Sequence, residues 1–138
     1  MSITNVIMSC GKQTILSAFN DHFDEFMNDV VILFPDNLDI RSSKSSIQLL
    51  RKVNPRMLIG IWNTYISSKY AAQIEAGDIR FFIDNDYTED VGNMSNSSQI
   101  ISSIDKLRDP VKQMDSENRD KTMKYIQNLK KLCDLYLS

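Results

Sequence analysis

The sequence predicts an all-α fold, a compact bundle of about five to seven helices, and three observations carry that prediction. Apolar residues recur at three- and four-residue steps over long stretches, the pattern of a helix with one buried face. Only four glycines and three prolines occur in 138 residues, too few for the turn every ~8–12 residues that a β-sandwich or barrel needs. Pro35, Pro55 and Gly77 fall at the ends of the periodic stretches, where helices start and stop. The length suits one domain over residues 1–138 with a core of its own.

The first helix is expected from about Lys12 to Phe34. Ile15, Leu16, Phe19, Phe23, Phe26, Met27, Val30, Leu33 and Phe34 share one face, and Asp21, Glu25 and Asp29 take the opposite one. Residues 2–9 are too short and mixed to assign beyond a docking arm or an initial turn. A second helix runs from Asp39 to Val53, capped by Asp36 or Asp39, with Ile40, Ser43, Ile47 and Leu50 inward. Asn54-Pro55 pairs a capping residue with a proline at the first helical position, so a third helix spans Pro55 to Ser67. Gly60 inside it lowers helix propensity by about 1 kcal/mol relative to alanine, which suggests close approach of a neighbouring helix. A short helix from Ser68 to Ala76 ends at Gly77. Asp78 then caps another turn holding Ile79, Phe82 and Ile83, although Ile79 to Ile83 also fits a strand. Residues 84–98 lack an apolar period and are rich in Asn and Ser, so they read as a polar loop. Ile100, Ile101, Ile104 and Leu107 form the next amphipathic segment, interrupted near Pro110, with Val111 and Met114 beyond the kink. The final helix begins at Ser116 and buries Met123, Ile126, Leu129, Leu132, Cys133 and Tyr136.

Charge is distributed in blocks that the net value of −2 conceals. Residues 1–39 carry −5, residues 40–74 carry +6 with no acid, residues 75–90 carry −5, and the remainder carries +2. Blocks of opposite sign either pair inside the fold or face partners. No run approaches the ~18 consecutive apolar residues of a membrane span, and no basic run leads into an apolar segment at the N-terminus. Cys10 and Cys133 belong to no metal spacing. Two reduced thiols in an intracellular setting, cytoplasm or nucleus, are the expectation.

Catalytic patterns fail for chemical reasons. Gly11-Lys12-Gln13-Thr14 lacks the first glycine of a phosphate loop, whose place is taken by Val6, and Gln13 follows the lysine where Ser or Thr is needed. Asp84 to Asp90 has the alternating acids of a calcium loop, but Glu89 stands where the turn glycine belongs and Ser95 where the closing glutamate belongs. His22 is the only histidine. A di-metal bundle needs a Glu-x-x-His motif from each of two helices, and Asp21 and Glu25 beside His22 cannot supply the second. No catalytic residue, metal or cofactor is therefore expected.

Two surfaces remain as candidates for contact. Asp84, Asp86, Glu89 and Asp90 in the polar loop are candidates for protein contact. Arg41, Lys44, Arg51, Lys52 and Arg56, interleaved with Trp62, Tyr65 and Tyr70, are candidates for nucleic acid, because cations attract phosphates and aromatic faces stack on bases. The acidic net charge argues against a dedicated nucleic-acid binder. Pairing within the protein or with another protein is the first expectation.

Val53-Asn54-Pro55-Arg56 through Trp62 and Tyr65, Gln73 to Ile79 with Phe82, Asp86-Tyr87 and Asp90, and Lys124-Tyr125-Ile126-Gln127-Asn128-Leu129 resemble small helical proteins of large eukaryotic DNA viruses of the algal-virus and giant-virus kind. The resemblance spans most of residues 15–137. It implies expression in an infected host cell and a virion, viral-factory or host-interaction role, with no activity to carry over. The function expected is a non-enzymatic protein-binding adaptor or structural and assembly component. A nucleic-acid-associated protein using the stretch 40–74 is the alternative.

Overall fold

Phe19, Phe23, Phe26 and Val30 lie three or four residues apart, so a helix turns them to one side, and all four are buried. They belong to α1, Ile3–Leu33. The computed structural model describes residues 3–84 and 95–138, with side chains over 11–84 and 100–138. The helix starts well before the expected Lys12, continuing through residues that the sequence pattern left unassigned. It stops at Leu33, just before Pro35, which has no amide to donate.

The remaining elements are α2 (Leu38–Val53), α3 (Met57–Trp62), a π-helical segment over Asn63–Ser67, α4 (Ala71–Glu75), α5 (Arg80–Asp84), α6 (Ser95–Asp105), α7 (Arg108–Gln113) and α8 (Ser116–Leu137). No strand occurs among the described residues, and Ile79 to Ile83 enters a helix. The fold is the expected all-α bundle. The long helices α1 and α8 form its most extensive contact, while α2 packs on both α1 and α6.

Several boundaries differ from the sequence expectation for local reasons. Asn37, not Asp36 or Asp39, caps α2, its Oδ1 accepting the Ile40 amide at 3.1 Å. The third helix begins at Met57 because Asn54 folds back instead, its Oδ1 accepting the Arg56 amide at 3.3 Å. Its last turn is π-helical, closed by the Ser68 amide donating to the Asn63 carbonyl at 2.9 Å. The wider turn shifts the helical face by a residue, which keeps Ile66 and Ser67 inside along with Leu58, Ile59, Ile61 and Trp62. Residues 95–98, expected in the polar loop, begin α6. Pro110 lies in the first turn of α7, where its missing amide breaks no bond, and the chain bends before it, at Lys106 and Leu107. Asp115 caps α8, accepting the Asn118 amide at 2.8 Å.

Two glycines have opposite roles. Gly77 closes α4 with φ of 73°, its amide donating to the Ile74 carbonyl at 3.0 Å while the Asp78 amide reaches Gln73 at 2.9 Å. That pair of bonds needs a left-handed residue, which glycine adopts at little cost. Gly60 is exposed, and a Cβ there would meet nothing within 4 Å. The expected close approach of a second helix is therefore absent at Gly60.

The core is aromatic at its centre. Phe23 meets Trp62 edge-on at 5.3 Å, with Phe26 at 6.1 Å and Phe19 at 6.3 Å. Ile126, Leu129 and Cys133 of α8 and Ile101, Ile104 and Leu107 of the 95–107 stretch complete it.

Substituting the two glycines separates their roles. Gly60→Ala should raise stability by about 0.5–1 kcal/mol through helix propensity. Gly77→Ala should lower it by about 1 kcal/mol or more through left-handed strain. Urea unfolding midpoints of the two variants should move in opposite directions.

Candidate functional site

The basic residues of 40–74 divide into two groups in the fold. Arg51 turns inward to α1, donating to Asp21 at 2.7 Å and to Asp24 at 2.9 Å. The Asp21 carboxylate, and after it Asp24, raise the guanidinium pKa against the opposing effect of burial. Arg51 is thus a structural clamp between α1 and α2, the intramolecular pairing expected of opposite charge blocks. Arg41, Lys52 and Arg56 are exposed, Lys44 is half-buried, and none of the four forms an ion pair among the described residues. At 100° per residue, Arg41, Gln48 and Lys52 fall on one edge of α2.

Beside that edge runs an apolar line that the sequence reading did not single out. Leu38, Leu49 and Val53 are 75%, 64% and 76% exposed. Single exposed apolar residues are common on protein surfaces, but these three share one helix and one outer face. Leu38 and Leu49 are three turns apart in register, and Val53 follows one turn later. Next to Leu49 and Val53 a hollow of about 180 Å³ opens between α2 and α6, with Ile47, Leu50, Ile100 and Ser103 in its lining. The signal was present in the sequence: once Ile40, Ile47 and Leu50 were placed inward, Leu49 and Val53 had no inward position left.

A second cleft lies between α1 and α8. His22, Glu25 and Asp29 form one wall, Lys121, Lys124 and Asn128 the other, and Tyr125 joins them. The Tyr125 hydroxyl donates to Asp29 at 2.6 Å, and its ring stacks on Phe26 at 5.4 Å and lies 4.8 Å from His22. Burial first, then the Asp29 carboxylate, push the Tyr125 pKa far above its ordinary value, so the phenol keeps its proton. His22 Nδ1 stands 3.7 Å from Glu25, beyond hydrogen-bond range, and Nε2 has no partner. Neither serine nor cysteine lines this cleft. The arrangement joins α1 to α8 through the hydrogen bond from Tyr125 to Asp29 and the ring contacts of Tyr125 with Phe26 and His22.

Asp84 is exposed at the end of α5, and Asp86, Glu89 and Asp90 lie outside the described residues. Cys133 is a buried free thiol whose pKa burial pushes up to about 12, so it stays protonated and unreactive at neutral pH. Cys10 has no described side chain. No group of three metal-ligating side chains occurs among the described residues, and none of the described helices is long and apolar enough to cross a membrane. No family model matches the chain, and no curated protein or solved structure is similar enough to count as a match.

The two polar links between helices have separate signatures. Arg51→Ala should lower stability by about 1 kcal/mol after solvent screening, and the loss should shrink in 1 M salt. Tyr125 has a folded-state pKa above its unfolded value of 10.0, so its contribution is present below pH 10 and is lost as pH rises beyond it. Wild type should exceed Tyr125→Phe in stability at pH 8, and the gap should narrow by pH 11 in urea titrations.

Proposed function

We propose that this protein is a non-enzymatic, protein-binding adaptor or assembly component whose contact surface is the outer face of α2. The observation that carries this reading is the line of Leu38, Leu49 and Val53, exposed on a helix whose inner face is already committed to the core. A helix face of this kind gains free energy by burial against a partner, at roughly 25 cal/mol per Å² of apolar surface. The hollow of about 180 Å³ beside Leu49 and Val53 has room for one apolar side chain of a partner, below the ~300–1,000 Å³ usual for a metabolite pocket. The proposal extends to an infected cell, with a part in virion or viral-factory assembly, as the sequence resemblance to proteins of large DNA viruses implies.

A second reading, nucleic-acid association, is favoured by the four cations Arg41, Lys44, Lys52 and Arg56, which form no ion pair among the described residues. It loses Arg51, which already serves Asp21 and Asp24. Leu38, Leu49 and Val53 beside the cations also suit protein better than phosphate.

Affinity capture with the tagged chain, with and without nuclease, tests both readings. Leu49→Asp/Val53→Asp lies on the surface, so the variant should fold with a native circular dichroism spectrum. It should lose at least one nuclease-resistant protein that the wild type retains. A set that nuclease removes and that depends on Arg41 and Lys52 rather than on Leu49 and Val53 would replace the adaptor reading with the nucleic-acid one.

A further inference from the structure

The charges around the apolar line of α2 narrow what can dock there. On one side lies the hollow against α6, lined by Ile47, Leu50, Ile100 and Ser103. Along the other side runs the polar edge of Arg41, Gln48 and Lys52, whereas Arg56, beyond the C-terminal end of the helix, lies against Gln13 and Leu16 of α1. Asp36 and Asp39 are exposed at the opposite end, around Leu38. Among the described residues the surface is therefore apolar along its middle, cationic along one edge and acidic at its start.

An antiparallel second copy of this chain matches that edge poorly. Antiparallel pairing of two identical helices across a twofold axis brings like edges together, so Arg41 and Lys52 would meet Arg41 and Lys52 of the copy. Like charges directly opposed at a contact weaken it. A foreign helix with carboxylates on the matching edge meets the same cations favourably. Its apolar residues at i, i+3 or i+4, and i+7 would lie over Leu49 and Val53, and one of them fits the hollow against α6.

We infer that the occupant of the α2 face is an acidic amphipathic helix of a partner protein, with its carboxylates over Arg41 and Lys52 and one apolar side chain in the α2–α6 hollow. This inference rests on the adaptor reading and adds the chemistry of the partner. The helix sits parallel to α2 and carries its acids on one edge, with spacing that follows the eleven-residue step from Arg41 to Lys52. Attraction from the cationic edge speeds encounter and selects orientation, while the apolar contact supplies most of the affinity.

A display selection separates the inference from the reading beneath it. A library of helical sixteen-residue peptides is selected on the full chain, and the enriched peptides are measured by fluorescence anisotropy. They should be acidic, should show apolar residues at helical spacing, and should bind about thirtyfold more weakly to Leu49→Asp/Val53→Asp. Binding should fall about tenfold on Arg41→Glu/Lys52→Glu and weaken as salt is raised. Enriched peptides that are basic or lack a helical period, yet still lose binding to Leu49→Asp/Val53→Asp, overturn the acidic-helix inference and leave the adaptor surface in place. Peptides that bind wild type and Leu49→Asp/Val53→Asp equally overturn both. A twelve-base-pair duplex that binds through Arg41 and Lys52, in a chain for which no acidic peptide is enriched, also overturns the inference and assigns the edge to nucleic acid.

Discussion

The aromatic contact between α1 and the third helix is the constraint on which the rest of the bundle depends. Phe23 is fully buried, with Trp62 edge-on at 5.3 Å and its own neighbours Phe19 and Phe26 to either side. Edge-on aromatic pairs gain from the opposed charge of ring edge and ring face in addition to the area they bury. This contact sets the height at which α3 crosses α1. The π turn after Trp62 then adjusts the face so that Ile66 and Ser67 also point inward. Cys133 of α8 follows from that placement, its thiol reaching the Ile59 carbonyl at 4.0 Å.

Polar links act on this apolar frame by orienting helices. Arg51 ties α2 to Asp21 and Asp24, Tyr125 ties α8 to Asp29, and the Gln127 amide of α8 donates to the Ile74 carbonyl at 3.0 Å. Lys130 stands between Asp134 at 2.7 Å and Glu75 at 3.3 Å, so α8 is also joined to α4 by charge. Each link is worth little by itself in water. Their common effect is to fix which faces of α1, α2 and α8 turn inward, and so which residues remain outside. The outer face of α2 is what this arrangement leaves over.

Opposite charge blocks in the sequence therefore have two destinations. Arg51 and Asp21 neutralise each other across the α1–α2 seam, whereas Arg41, Lys52 and Arg56, from the same acid-free stretch, are exposed without an ion pair among the described residues. Spacing explains the division. Arg51 sits on the flank of α2 that faces α1, whereas Lys52 sits about 100° round the helix from it and Arg41 about 15 Å along the axis.

Much of the fold was legible in the sequence because it depends on local period and local chemistry. Most of the buried faces of α1 and α8, the stop before Pro35, the left-handed close at Gly77 and the all-α class follow from residues within a few positions of each other, although Leu33, expected on the inner face of α1, is exposed. The candidate surface was legible only in part. Arg41, Lys52 and Arg56 were named from the charge pattern, but Arg51 could be set apart only by seeing Asp21 and Asp24 against it, some 27 to 30 positions away in the chain. Tyr125 was hidden for the same reason, its partner Asp29 being 96 positions distant. Sequence alone determined which residues each helix turns to one side, because the helical period is a property of the backbone. Tertiary structure decided which of those sides would be covered, because burial of Ile47 and exposure of Leu49 depend on where α6 and α1 come to rest.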